Sequence, residues 1–93
     1  IYGLGASTKG NTLLQLCGLD AALIDCIGEI NPDKFGKYTP STKIPIVDER
    51  EIIESENAIF FILPWHFKES FINQKTLLGR TKVFALPFFE IIP

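Results

Sequence analysis

Apolar and polar positions fall in short blocks along the chain, and the blocks alternate between strand-like and helix-like. Ile1 to Leu4 is a brief apolar run that reads as a strand. The glycine-rich stretch Tyr2 to Thr12, YGLGASTKGNT, carries it into an amphipathic segment predicted to be helical from about Thr12 to Cys17. Thr12 and Gln15 have capping-box spacing, and Gly18 supplies the left-handed residue that closes such a helix. A second strand is predicted from about Leu23 to Gly28, and Asn31-Pro32-Asp33 then breaks the pattern, because proline lacks a donor and restricts its predecessor. The stretch Lys34 to Ile44 shows no sustained period and reads as a long loop running into a short strand, Ile44 to Val47.

Asp48 to Ser55 reads as a short acidic helix, and Ala58 to Leu63 (AIFFIL) as a strand covered on both faces. After Pro64 the apolar residues Phe67, Phe71, Ile72 and Leu78 recur at near-helical spacing up to Gly79. Lys82 to Leu86 supplies one more strand, and Pro87 to Pro93 is expected to lie across the surface. Strand–helix alternation with short connections implies right-handed crossovers between parallel neighbours. The expected fold is therefore α/β: a single Rossmann-like three-layer α/β/α domain over residues 1–93, with a mostly parallel sheet of about five strands. Such sheets take ligands at the carboxyl ends of their strands, near the switch in strand order. The glycine turn, Glu29, the basic loop and Trp65-His66 all fall there.

Composition narrows the class. With 46% hydrophobic residues and eight phenylalanines among 93 residues, the chain can build one core, burying roughly two-thirds of the surface an unfolded chain of this size exposes. The absence of methionine, and a first residue already in a strand, imply a polypeptide that begins further upstream. Nine Lys and Arg against eleven Asp and Glu leave a formal charge of −2, so no basic field points to nucleic acid. The charges are nevertheless segregated: three lysines and no acid from Lys34 to Lys43, and five acids against Arg50 alone from Asp48 to Glu56. The acidic stretch reads as a solvated helix face, whereas the basic one overlaps a loop where cations are open to a ligand. Cys17 and Cys26 sit in apolar patterns and are too few for a disulfide framework, so reduced thiols and a cytoplasmic setting are expected. No apolar run approaches the ~20 residues that span a bilayer, and no membrane partner is expected.

Gly3-x-Gly5 opens a dinucleotide fingerprint whose third glycine would stand at Thr8. Glu29 lies where an acid would accept a ribose hydroxyl. Gly5-x-x-x-x-Gly10 has the glycine spacing of a phosphate-binding loop, but Asn11-Thr12 follows where Lys-Ser/Thr is required, and Lys9 precedes the second glycine. An NAD site, a nucleotide-like phosphate site of another kind and a turn that binds nothing all stay open. Backbone amides from Gly5 through Ala6 to Asn11, with the side chains of Ser7, Thr8 and Lys9, can donate to an anion at a helix N-terminus. Lys34, Lys37, Tyr38 and Lys43 form a basic, partly aromatic loop that could fold over a diphosphate or a base. Trp65 and His66 follow the central strand, where a stacking ring or a proton carrier could act. One histidine and two separated cysteines make no four-ligand metal site. No catalytic group stands out; the chemistry reads as binding.

The stretches YGLGASTKGNTLLQLCG, INPDKFGKYTPSTKIPI and ILPWHF, taken together and in this order, resemble the C-terminal domain of the sugar C-methyltransferase family over nearly all 93 residues. The resemblance implies a parent enzyme with an upstream zinc-binding segment and an S-adenosylmethionine-binding methyltransferase domain, the C-terminal domain helping to hold a nucleotide-linked deoxysugar. It implies that Gly5 to Asn11 is the family's glycine-rich turn, that Asn31-Pro32 with Lys34, Gly36 and Tyr38 is its long loop, and that Pro64-Trp65 ends its central strand. This chain has Glu29-Ile30 where the family more often has Asp-Arg, Ser41 for a glycine, Lys43 for a histidine and His66 for an asparagine. Loss of the arginine removes a bidentate phosphate clamp. On this reading the segment alone is inactive and binds no cofactor, its partners being the sugar-nucleotide and the upstream domain. A non-enzymatic scaffold packed on the catalytic domain and an independent NAD- or coenzyme A-binding module are the alternatives.

Overall fold

The first strand, β1 (Tyr2–Leu4), lies inside the sheet, hydrogen-bonded in parallel to β2 (Cys26–Glu29) on one side and β4 (Ile59–Ile62) on the other. β3 (Ile46–Asp48) extends the sheet beyond β2, and β5 (Thr81–Phe84) extends it beyond β4, again in parallel. A final strand, β6 (Glu90–Ile92), pairs antiparallel with β5, giving the order β3-β2-β1-β4-β5-β6. The computed structural model describes residues 1–86 and 89–93. The chain first steps outward from β1 to β3, then returns to lay β4 on the other side of β1. The strand order therefore reverses between β1 and β4, which is where an open α/β sheet forms its crevice.

The sheet carries an apolar layer on each face. Ile46, Ile27, Gly3, Phe61, Val83 and Ile91 are in register from one edge to the other, so they share one face. Ile27, Phe61 and Val83 pack with Leu13, Leu14, Ile24, Ile44 and Leu63 in one buried cluster. On the opposite face Leu4, Phe60, Ile62 and Phe84 pack with Ile52, Ile53 and Leu77. This two-sided demand explains why Phe60, Phe61, Ile62 and Leu63 form an unbroken apolar run.

The α/β architecture with its mostly parallel sheet agrees with the sequence, and several elements differ in detail. The first helix, α1, runs Thr8–Leu16 and starts four residues before the Thr12 start; its N-cap is Ser7, whose hydroxyl accepts from the Gly10 amide at 3.0 Å. Thr12 instead donates its hydroxyl to the Thr8 carbonyl, inside the helix. Gly18 takes φ +70, as a residue closing a helix does. The acidic segment makes only a 3-10 turn, Glu49–Glu51. The helix expected after Pro64 is broken into a 3-10 turn at Trp65–Phe67, a short α2 (Lys68–Asn73) and a second 3-10 turn at Lys75–Leu77. Among the described residues the sheet has six strands where about five were expected, because part of the tail, Glu90–Ile92, joins it; Pro87 and Phe88 of that tail lie outside the described residues. An antiparallel edge strand of three residues is too short to show a period in the sequence.

Two local features were invisible in the pattern. Ser41 and Lys43 hold φ of +66 and +56, a left-handed conformation that explains why a glycine would suit position 41. Lys82, in the middle of β5, is 1% exposed, and its ammonium donates to the carbonyls of Arg80 at 2.7 Å and Leu77 at 3.0 Å. Burial lowers the pKa of this amine.

Candidate functional site

The turn after β1 is built by close backbone approach. Gly5 has φ +85, and a Cβ there would stand 2.5 Å from the Pro64 ring, so β1 and the end of β4 come together only because this residue has no side chain. Gly10, on the buried side of α1, would place a Cβ 2.7 Å from Leu63 Cβ. It does the helix-to-strand packing that a dinucleotide fingerprint assigns to a glycine at position 8, and Thr8 is free to open the helix. The imperfect motif thus still yields a close-packed turn.

Glu29, at the end of β2, is 7% exposed and braces this turn. Its carboxylate accepts from the Ala6 amide at 2.8 Å through one oxygen, and from the Ile30 and Asn31 amides at 2.9 and 2.8 Å through the other. The Lys34 ammonium donates to the Ala6 carbonyl at 2.5 Å from the opposite side. Ala6 is therefore held at both its N–H and its C=O. Asn11 is engaged as well: its amide donates to the Pro40 carbonyl at 2.9 Å and its oxygen accepts from the Thr42 hydroxyl at 2.6 Å, tying α1 to the long loop. What stays open at the N-terminus of α1 are the backbone N–H groups of Ser7, Thr8 and Lys9, without a protein partner among the described residues. The first-turn amides of a helix carry partial positive charge and suit an anion.

Beside this terminus opens a cavity of about 740 Å³, at the carboxyl ends of β1 to β4, with Leu4, Gly5, Ala6, Ser7, Gly28 and Glu29 on its floor. Its far walls come from Phe35, from Asp48, Glu49 and Arg50, and from Phe67, Ser70 and Phe71. The wall is acidic. Arg50 is bound to Asp48, its Nη2 lying 2.5 Å from the carboxylate, and this hydrogen bond holds the Asp48 carboxyl below the usual aspartate range. Glu49 has no such partner among the described residues; burial raises its pKa, and the carboxylates of Glu29 and Asp48 raise it further. A largely apolar lining with polar groups confined to the turn and one acidic stretch of wall is the usual make-up of a small-molecule cleft.

Of the residues singled out in the sequence, Gly5, Ala6, Ser7 and Glu29 come together at this cavity, and Thr8 and Lys9, the first two residues of α1, follow Ser7 outside its lining. Gly10 and Asn11 serve packing and loop attachment. Lys34 reaches the turn, whereas Lys37 and Tyr38 are exposed and outside the cavity lining. Trp65 packs against the core beneath α1, and its ring meets that of His66 edge-on at 5.6 Å. His66 is exposed and also outside the lining. Asp48, Glu49, Phe67 and Phe71 were not picked out for the site, since the acids read as a solvated face and the phenylalanines as a helix stripe. The pairing of β3 with β2 brings Asp48 and Glu49 to the cavity, and the pairing of β4 with β1 brings the segment that carries Phe67 and Phe71.

A glycine turn feeding a helix at the switch point of a parallel sheet, with a crevice above it, defines a Rossmann-like α/β domain. The chain belongs to the family of C-methyltransferase C-terminal domains, whose model matches residues 1–87. It is similar to the C-methyltransferase NovU of Streptomyces niveus, 31% identical over 91 residues. That match takes in 97% of this chain but 22% of the relative, so the chain spans about a fifth of the curated protein it matches. Among the described residues, no helix is long and apolar enough to cross a membrane.

Proposed function

We propose that this domain positions a nucleotide-linked deoxysugar for an S-adenosylmethionine-dependent methyltransferase domain of the same cytoplasmic protein. The observation that carries the reading is the junction of the open α1 terminus with the 740 Å³ cavity. The N–H groups of Ser7, Thr8 and Lys9 and the Lys9 ammonium receive the negatively charged phosphate. The uncharged sugar or base occupies the cavity, where Glu49 and Ser70 can hydrogen-bond hydroxyls and Phe67 and Phe71 supply apolar contact. The acids of that wall repel phosphate, so the charged and uncharged halves of the ligand take one orientation.

In the parent reaction a base removes a proton beside a sugar ketone and the resulting enolate attacks the methyl donor. S-adenosylmethionine supplies the methyl group. This domain contributes by restricting the substrate to a reactive placement, an effect that can lower a barrier by several kcal/mol when the reacting atoms are held in contact.

In the complete protein, Lys9→Ala should weaken binding of a nucleoside diphosphate sugar by about five- to thirtyfold, the effect of a charge-assisted hydrogen bond of about 1–2 kcal/mol. Affinity for S-adenosylmethionine should not change. Calorimetric titration of both ligands checks this; equal loss of the two, or of neither, overturns the reading. The scaffold alternative draws support from Glu29, whose carboxylate already occupies the Ala6 amide that a bound anion would use. Under that alternative no nucleotide ligand perturbs the amides of Ser7 to Lys9.

A further inference from the structure

The row of residues that crosses one face of the sheet ends abruptly. Ile46, Ile27, Phe61 and Val83 are all at most 9% exposed, but Ile91, next in register on β6, is 61% exposed. Its neighbour Ile92, on the opposite face, packs into the second core. Phe89, just before β6, is 67% exposed. The gap has a second wall. Asn11 points the loop-facing flank of α1 toward Pro40 and Thr42, and at 100° per residue Leu16 lies on roughly the opposite flank, away from that loop. Leu16 is 80% exposed, an extreme value for a leucine on a helix that packs on a core. Trp65, Ala85 and Leu86, packed against the core of this face, are only partly covered.

A sheet of this kind is normally clothed by helices on both faces. Here α1 is the one α-helix on this face among the described residues, since the crossover leading to β5 contributes Phe71, Ile72 and Leu77 to the other. We propose that the apolar strip from Leu16 across to Phe89 and Ile91 is the docking surface for the catalytic part of the same C-methyltransferase, which completes the missing portion of the layer. The relative NovU has most of its length outside the matched segment. A covalently joined domain meets the strip at an effective concentration in the millimolar range, whereas a second copy must find it at its free concentration. The occupant in cis therefore wins. The inference stands apart from the ligand reading, because β6 lies three strands from β1 and outside the cavity lining.

Maleimide labelling of the complete protein tests it, with Leu16→Cys, Ile91→Cys and, as an exposed control, Thr12→Cys placed one at a time in a Cys17→Ser, Cys26→Ser background, each site followed by fragment mass. Labelling at positions 16 and 91 should be slower than at position 12 by about tenfold or more, a factor equivalent to about 1.4 kcal/mol of opening free energy. Adding Ile91→Asp should restore fast labelling at position 16 while the far-ultraviolet circular dichroism stays unchanged. Labelling at positions 16 and 91 as fast as at position 12 overturns the proposal. Protection that disappears on dilution, together with a change from dimer to monomer in sedimentation, overturns it too, by making a second copy the occupant.

Discussion

Glu29→Gln isolates the brace that holds the glycine turn. The substitution keeps the shape of the side chain and replaces one carboxylate oxygen by an NH2 group, in a site 7% exposed where three backbone N–H groups converge. The remaining oxygen can keep Ile30 and Asn31, as neutral hydrogen bonds of about half the strength of charged ones. The NH2 must then face the Ala6 N–H, donor against donor. A buried donor left unpaired costs about 1–3 kcal/mol, and weakening the other two bonds adds about 1 kcal/mol, so the expected loss is about 2–4 kcal/mol. In a urea titration followed by circular dichroism, that loss lowers the midpoint by about 1–3 M with an unchanged slope. Glu54→Gln, at an exposed glutamate, should stay within about 0.5 kcal/mol of the parent. A Glu29→Gln midpoint indistinguishable from that control would refute the argument that this carboxylate organises the turn.

Ser41→Gly should stabilise the protein. The left-handed φ of +66 costs a non-glycine residue about 1–2 kcal/mol, offset by about 0.4–1 kcal/mol of extra freedom in the unfolded chain, for a net gain of about 0.5–1 kcal/mol and a rise in Tm of about 3–6 °C by calorimetry. Glu49→Gln should also stabilise at pH 7, and the gain should depend on pH. The folded-state pKa of Glu49 is raised above the ordinary glutamate value of 4.5 by burial and by neighbouring carboxylates, so its ionisation destabilises the fold as pH rises through that folded-state value. The difference in Tm between Glu49→Gln and the parent should therefore close once the pH falls below 4.5; a difference that persists unchanged there rules this cause out. Asp48 works in the opposite sense. Its pKa is lowered by Arg50, and the stabilisation it gives is present above the ordinary aspartate value of 3.8 and is lost as pH falls through the folded-state value.

The sequence by itself determined the alternation of elements, and with it a parallel sheet, because buried strands must be apolar on both faces and parallel neighbours need crossovers. It also marked the turn from Gly5 to Gly10, since glycine there reports close backbone approach whether or not a motif is complete. The tertiary structure decided everything that depends on which strands are neighbours. Glu29 reads as an open acid at a strand end until the turn after β1 lies beside it and three amides claim its oxygens. Asp48 and Glu49 read as a solvated face until β3 aligns with β2, opposite Glu29 in register, and turns them into a cavity wall. The N-cap is Ser7 and not Thr12: the Ser7 hydroxyl caps the Gly10 amide as well as a threonine could, and Gly10 lets the added turn pack closely against Leu63. Local pattern encodes what each segment can bury, whereas the partners of polar groups are set by contacts between residues distant in the chain.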